Sequence, residues 1–223
     1  MQYLDIPVVL LAGGKGTRLQ EETSLIPKPL VRVGDSPIIV HIMNIFLNQG
    51  FHNFYILTGY KSDMFTSFFD GINQWDDKAK HERGFCSIID FTLKLVETGD
   101  ESLTGERVRR LKNLIESDFL LTYGDGLSNV NLFKLIEQNR KCNTLVTLTA
   151  VRPPARFGAL EINSDNIVNR FAEKHLNSES LINGGFMYFR EQCLKLIQPN
   201  TSLEGDFLPA MAKQKELSAL IHD

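Results

Sequence analysis

The sequence contains few cysteines and no long apolar run. Its three cysteines, Cys86, Cys142 and Cys193, have no paired spacing, so neither a disulfide framework nor a cysteine-based metal site is expected. No stretch approaches the roughly 20 consecutive apolar residues that span a bilayer. The N-terminus also lacks the features of a signal peptide. These absences predict a cytoplasmic protein without a membrane segment.

The sequence also has no large excess of charge. Its 24 lysine and arginine residues stand against 27 aspartates and glutamates, which gives a formal net charge of −3. Such a chain has no general attraction for nucleic acid or anionic lipid, and neither is expected as a partner. The five histidines lack metal-ligand spacing, and sequence order assembles no Ser-His-Asp or Cys-His set. An anionic ligand would therefore need a local cluster of positive charge, and covalent catalysis has no support.

The pattern of apolar residues predicts an α/β fold. Strands are predicted at Ile6–Leu11, Phe54–Thr58, Phe119–Tyr123, Thr144–Val151 and Leu217–Ile221, and helices at Pro37–Leu47, Ser62–Phe69, Val130–Arg140 and Asp206–Lys215. Helices between strands imply βαβ crossovers and a mainly parallel sheet, with ligands beyond the carboxyl ends of the strands. Short strands and turns after Val151 predict a β-rich half on one side of the same cleft. No linker-like segment divides the chain, so we expect one domain, residues 1–223.

A glycine-rich stretch follows the first predicted strand. It reads VVLLAGGKGTRLQEETSLIPKPLV and matches neither a Walker A loop nor a Rossmann fingerprint. Gly13, Gly14 and Gly16 leave backbone N–H groups accessible, and Arg18 offers bidentate contacts to phosphate oxygens. Lys28 lies between two prolines, which stiffen the backbone around its ammonium group. The combination favours a triphosphate site over a tight turn with solvated charges.

A second glycine turn follows the predicted strand Phe119–Tyr123. Asp125 lies between Gly124 and Gly126, where a carboxylate can reach a divalent metal without crowding. Magnesium takes one or two carboxylates and completes an octahedral shell with water and phosphate oxygens. The alternative is an ordinary Asp-Gly strand exit. Because both glycine turns follow strands, they are predicted to lie at the same edge of the sheet.

The segment FAEKHLNSESLINGGF carries groups that suit a polyol phosphate. Glu173 and Asn183 are suited to bind hydroxyls, and Lys174 is suited to neutralise a phosphate. The alternative for the Glu-Lys pair is a surface ion pair.

The segment TGERVRRLKNLI is predicted to be a positively charged helix. Thr104 is interpreted as its cap, and Arg109 or Arg110 as an arginine that reaches the nucleotide. Spacing does not decide between the two arginines. The alternative is a solvated helix whose apolar positions face inward. Those positions are Val108, Leu111 and Ile115.

These stretches, in this order, resemble the sugar-1-phosphate nucleotidylyltransferases. The shared motifs are LAGGKGTRLQEET, PKP, PIIVHIM, GYK, LVETGDESLTGERVRR, TYGDGLSNV, TLTAVRPPARFGAL, FAEK and INGGF, which extend from Leu11 to Phe186. The AGGxGTRL signature points to the superfamily, and the Glu-Glu-Thr continuation, PIIVHIM and PPARFGAL point to its glucose-1-phosphate cytidylyltransferase branch. The resemblance implies a Rossmann-like three-layer α/β/α core with a mainly parallel mixed sheet. It also implies a nucleotide-binding half at about residues 1–126 and a β-rich sugar-phosphate half at about residues 127–223.

The resemblance further implies a reaction and its residues. CTP would react with a hexose 1-phosphate, with glucose 1-phosphate as the expected acceptor, to give CDP-hexose and pyrophosphate. The enzyme would be a Mg²⁺-dependent homo-oligomer that feeds surface-polysaccharide biosynthesis. The catalytic residues would be Arg18, Lys28 and Asp125, with Asp125 as the metal ligand. The nucleotide-binding residues would be Leu11, Ala12, Gly13, Gly14, Gly16, Thr17, Arg18, Lys28, Arg109 and Gly124. The substrate-binding residues would be Tyr123, Gly126, Gly158, Glu173, Lys174, Asn183 and Gly184.

Departures from the family pattern leave alternatives open. Ile26 stands where the family has a lysine, Glu106 where it has a glycine, and Asn129 where it has an aspartate. The family also continues with a segment that carries a second metal-binding aspartate, which this chain is expected to lack. UTP or dTTP is therefore an alternative to CTP. A non-catalytic protein that binds a nucleotide or a sugar nucleotide is the remaining alternative.

Overall fold

The computed structural model describes residues 5–15, 26–72, 77–82, 84–85, 90–152, 159–162, 168–172 and 181–222. The strands in these ranges are β1 (Val8–Leu11), β2 (Arg32–Val33), β3 (Ser36–Pro37), β4 (Asn53–Thr58), β5 (Thr92–Glu97), β6 (Phe119–Tyr123), β7 (Val146–Val151), β8 (Ala159–Ile162), β9 (Val168–Ala172), β10 (Ile182–Phe189) and β11 (Leu217–His222). The α-helices are α1 (Ile38–Leu47), α2 (Ser62–Phe68), α3 (Asp77–Glu82), α4 (Thr104–Arg109), α5 (Leu132–Cys142), α6 (Cys193–Leu196) and α7 (Leu208–Lys213). Shorter turns are 3₁₀ at Lys28–Leu30 and Arg110–Asn113, and π-helical at Leu203–Phe207.

A seven-stranded sheet organises the chain, with the strand order β11-β7-β10-β6-β1-β4-β5. β1 pairs in parallel with both β4 and β6, and β5 and β11 also pair in parallel with their neighbours. β10 runs antiparallel to both β6 and β7. The prediction of a mainly parallel mixed sheet is therefore confirmed. The strands after Val151 belong to two sheets. β8 and β9 pair with each other, whereas β10 lies inside the seven-stranded sheet and β11 at its edge.

Apolar side chains cover both faces of the sheet. The side chains of β1 alternate between the faces, with Val8 and Leu10 in one buried cluster and Val9 and Leu11 in the other. Side chains of α1, α2 and α5 join the first cluster, and those of α4, α6 and α7 join the second. A strand buried on both faces is typical of a parallel sheet covered by two helical layers. This arrangement confirms the predicted three-layer α/β/α core.

Two local predictions were wrong. Thr104 is the first residue of α4 instead of its cap. The cap position belongs to Leu103, whose side chain makes no cap hydrogen bond. The helix predicted at Asp206–Lys215 is divided into a π-helical turn and α7. Pro209, at the start of α7, has no N–H to donate to the preceding turn.

The strand β5 was not predicted, because it is an edge strand whose residues are exposed or half-buried. None of the helices within the described residues has the length and apolar character needed to cross a membrane.

Candidate active site

A cavity of about 370 Å³ opens at the carboxyl ends of β1 and β6. Leu11 and Tyr123, the last residues of these parallel strands, are in register. The turns that follow both strands line the cavity, as do the Lys28 turn, the start of α4 and the π-helical turn. The two glycine turns therefore lie together at one edge of the sheet, as their sequence positions predict. This edge is where open α/β sheets bind ligands.

Gly124 allows the β6 turn to lie close against β1. Its N–H donates to the Leu11 carbonyl oxygen at 2.9 Å. A Cβ at this position would lie 2.9 Å from that oxygen and 2.9 Å from Pro29 Cγ, which is closer than real Cβ contacts. The absence of a side chain thus brings Asp125 alongside the Lys28 turn.

Lys28 and Asp125 form an ion pair inside the cavity. Lys28 Nζ lies 2.6 Å from Asp125 Oδ2. The two side chains are 29% and 42% exposed, respectively, so both face open space. Two predicted catalytic residues, 97 positions apart in sequence, are therefore in direct contact.

Arg107 is a cavity residue that the sequence analysis missed. Only 3% of its surface is exposed, and burial lowers the pKa of its guanidinium. The guanidinium donates to the Gly13 carbonyl oxygen at 2.9 Å and to the Thr58 carbonyl oxygen at 3.2 Å. It also donates to Thr98 Oγ1 at 2.5 Å, and to the carbonyl oxygens of Gly99 at 2.9 Å and Asp100 at 3.3 Å. Arg107 therefore fixes the first glycine turn against the loop that follows β5.

Arg109 lies elsewhere, and it is not among the described residues that line the cavity. Its guanidinium makes two hydrogen bonds to Glu106, of 2.7 and 2.9 Å. Arg110 binds the same carboxylate at 3.3 Å. The position of Arg107, three residues after Thr104, is the signal that would have singled it out, because residues i and i+3 share a helix face.

Part of the cavity lining is rich in hydroxyl groups, and we call it the hydroxyl-rich wall. It consists of Thr104, Tyr123, Ser202 and Glu204. Glu204, in the π-helical turn, accepts hydrogen bonds from the Tyr123 hydroxyl at 2.5 Å and from Thr104 Oγ1 at 2.6 Å. Burial, with Glu204 as a second cause, raises the pKa of Tyr123. Asn183, a predicted sugar ligand, lies near the Tyr123 hydroxyl and acts to lower its pKa. No local pattern could have indicated Glu204, because it lies 81 residues from Tyr123 in sequence.

The other predicted site residues fall into three groups. Ala12 and Gly14 line the cavity beside Leu11 and Gly13. Gly126 follows Asp125 and has open space around it, whereas Gly184 packs against Thr149 on β7. The remaining predicted ligands, Gly16, Thr17, Arg18, Gly158, Glu173 and Lys174, lie outside the described residues.

The carboxylate of Asp125 is the group that fits a metal ion. It faces the cavity and already has a cation as its partner. Among the described residues, no cluster of three or more histidine, cysteine, aspartate or glutamate side chains could hold a metal ion. A magnesium ion at Asp125 would therefore take most of its ligands from water and from phosphate oxygens, which is common for this ion.

Comparison with known proteins identifies the family of this chain. The family model described as nucleotidyl transferase matches residues 7–221. Glucose-1-phosphate cytidylyltransferase of Salmonella typhimurium is 37% identical over 224 aligned residues, which cover 96% of this chain and 87% of that protein. D-glycero-alpha-D-manno-heptose 1-phosphate guanylyltransferase of Aneurinibacillus thermoaerophilus is 27% identical, with coverage of 96% and 89%.

The solved structures include a similar fold. The crystal structure of HddC from Yersinia pseudotuberculosis matches with a TM-score of 0.70 and 24% identity, over 97% of this chain and 90% of that chain. At this identity the match supports the fold alone. The family match and the 37% identity go further, and together they show that this chain belongs to the nucleotidyl transferase family.

Proposed function

We propose that the protein transfers the cytidylyl group of CTP to the phosphate of a hexose 1-phosphate, giving CDP-hexose and pyrophosphate. The observation that carries the proposal is the Lys28–Asp125 pair at the junction of the two glycine turns. The 37% identity to a glucose-1-phosphate cytidylyltransferase supports CTP and glucose 1-phosphate as the substrates. The oligomeric state and the cytoplasmic location remain predictions.

The proposed chemistry needs no general base, because the attacking phosphate oxygen is already an anion. That oxygen forms a bond to the α-phosphorus of CTP, and the bond from the α-phosphorus to the α–β bridging oxygen of the triphosphate breaks, so that this oxygen leaves with pyrophosphate. The obstacle is repulsion between two polyanions and the charge that develops in the transition state. Positioning and fixed positive charge lower such a barrier.

Lys28 is suited to hold the phosphates. It lies on a short turn between Pro27 and Pro29, so its backbone is restrained. Gly13 and Gly14 line the same cavity, and their N–H groups are proposed to bind phosphate oxygens. Arg18, which the sequence places in the same stretch, is proposed as the second cation.

Asp125 is proposed to hold magnesium. When bound, the ion would neutralise phosphate charge and orient the triphosphate for in-line attack. The triphosphate would bind the Lys28 ammonium in place of Asp125. The Asp125 carboxylate would then be available to bind the metal.

The hydroxyl-rich wall is suited to the hexose ring. Each oxygen of the Glu204 carboxylate accepts one hydrogen bond and retains capacity for another, from a sugar hydroxyl. A carboxylate repels phosphate, so this wall suits the neutral polyol part of the substrate. Asn183, which lies near the Tyr123 hydroxyl, is proposed to bind the same ring.

Pyrophosphate release by the purified protein tests the proposal. Glucose 1-phosphate, Mg²⁺ and each nucleoside triphosphate in turn should give the fastest release with CTP. Equal or faster release with UTP or dTTP would contradict the choice of nucleotide. No release with any nucleotide, despite binding of CTP, would contradict catalysis itself.

A further inference from the structure

The first turn of α4 contacts two sides of the cavity. Thr104 Oγ1 accepts the Leu203 N–H at 2.8 Å and donates to Glu204. At Gly105, a Cβ would lie 2.6 Å from the Thr201 carbonyl oxygen, so the helix backbone lies directly against this segment. Arg107, two residues after Gly105, instead donates to the Gly13 carbonyl oxygen in the first glycine turn. This turn of helix thus connects the wall that carries Glu204 with the loop proposed to hold the triphosphate.

Glu106 is the charged residue within this connection. Its backbone N–H donates to the Thr201 carbonyl oxygen at 3.0 Å. Its side chain, in a residue only 5% exposed, accepts the Asn200 N–H at 3.3 Å. Asn200 has a left-handed backbone, with φ of 56°, and lies just before the π-helical turn. The contacts of Glu106 therefore hold the segment that enters the cavity wall.

Two arginines keep the Glu106 carboxylate ionised in this buried position. Arg109 donates to both carboxylate oxygens and Arg110 donates to one of them. Hydrogen bonds from Arg109, acting against burial, lower the pKa of Glu106 to about 2. A buried carboxylate with satisfied oxygens is a rigid anchor, because its loss leaves several donors without an acceptor. Arg109 therefore contacts Glu106 and is not among the described residues that line the cavity.

We propose that Glu106 is a positioning residue for recognition of the sugar phosphate: by binding Asn200 and Thr201 it sets where Ser202 and Glu204 stand in the cavity. Glu106 itself is not one of the described residues that line the cavity. The inference rests on the proposed function, because it assigns the Glu204 wall to the hexose. It predicts that a change at Glu106 affects one substrate more than the other.

The test compares Glu106→Gln with the wild-type protein. Glutamine keeps the size of the side chain but presents an NH₂ group to the arginine donors. We expect KM for glucose 1-phosphate to rise about tenfold, the effect of one hydrogen bond to a charged group, whereas KM for CTP and kcat change less than about twofold. Glu106→Asp retains the charge and should restore part of the lost affinity, and it also serves if the glutamine variant does not fold.

Asp118→Asn is the matched control. Asp118 is a half-buried carboxylate that accepts the Tyr188 hydroxyl at 2.7 Å and the Glu191 N–H at 2.9 Å. It lies just before β6, at the end of that strand opposite the cavity. Its loss should lower thermal stability without a selective change in KM. If Glu106→Gln also changed stability alone, or raised both KM values equally, the positioning role would be refuted.

Hydrogen exchange separates this inference from the proposed function. The amides of residues 200–205 should exchange faster in Glu106→Gln than in the wild type, with no nucleotide or sugar present. Unchanged exchange would refute the anchoring of the wall. If these amides exchange faster in Glu106→Gln but the wild-type protein releases no pyrophosphate, the proposed function is contradicted and the anchoring stands.

Discussion

The ion pair between Lys28 and Asp125 makes a specific prediction about metal binding. In the structure, the carboxylate proposed to hold magnesium is in contact with an ammonium group. A divalent cation that binds without nucleotide must compete with this ammonium. Lys28→Met, which keeps much of the side-chain length and removes the charge, should therefore increase the affinity of the nucleotide-free protein for Mn²⁺, used as a probe for Mg²⁺.

The size of the effect follows from the geometry. Two unit charges 2.6 Å apart attract by about 1.6 kcal/mol in a medium as polar as water. Because Asp125 is 42% exposed, screening places the net contribution at this value or somewhat below, at about 1 kcal/mol. These energies correspond to a roughly 5- to 15-fold tighter Mn²⁺ dissociation constant in the variant.

The assay is titration of Mn²⁺ into nucleotide-free protein, followed by electron paramagnetic resonance of the free ion. Lys15→Met is the matched control, because it removes a lysine from the first glycine turn. Lys15 pairs with Glu101 instead of Asp125, so its loss should leave Mn²⁺ affinity within about twofold of the wild type. An affinity in Lys28→Met equal to that of Lys15→Met would refute the competition.

The same reasoning links the metal to the nucleotide. If phosphates attract Lys28 away from Asp125, nucleotide binding strengthens metal binding, and the metal must strengthen nucleotide binding by the same factor. In Lys28→Met the coupling should be smaller by the roughly 5- to 15-fold factor that the competing ammonium contributes, whereas the part that comes from phosphate oxygens binding the metal should remain. Mn²⁺ titrations with and without a non-hydrolysable CTP analogue measure the coupling directly.

Four further predictions concern activity and stability. Asp125→Ala should lower kcat by at least about 100-fold while the melting temperature stays close to that of the wild type, because the group is half-exposed and its role is electrostatic; near-normal turnover would exclude it as the metal ligand. Glu204→Gln should raise KM for glucose 1-phosphate about tenfold with KM for CTP unchanged, and steady-state kinetics with each substrate varied decide this. Phe189→Ala should lower the free energy of unfolding by about 3–5 kcal/mol, since the ring is fully buried and stacks on Phe119; a urea titration that showed a loss under about 1 kcal/mol would contradict the packing. The carboxyl of Glu106 should stabilise the fold at neutral pH and lose this effect as pH falls from about 4.5 towards about 2, because its pKa is lower in the folded state than in the unfolded chain; Glu106→Gln should show a weaker decline in unfolding free energy over that range.

The location of the site could be predicted from the sequence. Gly13 and Asp125 both follow apolar strands, and parallel strands with right-handed crossovers bring their carboxyl ends to one edge of a sheet. Neither residue needed any tertiary information to be placed there. The contact between Lys28 and Asp125 was not predictable, because it depends on how closely Gly124 packs against β1.

The role of Arg107 was missed because the sequence analysis did not establish which face of the helix points towards the sheet. Three arginines lie within four positions, so the one that faces the sheet depends on where the helix begins and how it packs. With Thr104 interpreted as a cap instead of the first helical residue, Arg107 was not placed on the same helix face as Thr104. The apolar positions Val108, Leu111 and Ile115, which the alternative interpretation placed inward, are buried, since apolar spacing reports burial whereas charge spacing does not.

The distribution of charge in the cavity gives the proposed substrates one orientation. With a metal ion on Asp125, Lys28 and the glycine turns would form a cationic side that attracts phosphate, whereas the Glu204 carboxylate would repel it. A hexose 1-phosphate has the matching asymmetry, with a neutral ring that donates hydrogen bonds and a single anionic end. With its ring on Glu204, its phosphate must face the cationic side, where the α-phosphate of the nucleotide is also expected. The attacking oxygen is then brought to its target by charge alone, which is consistent with a reaction that requires positioning and no general base.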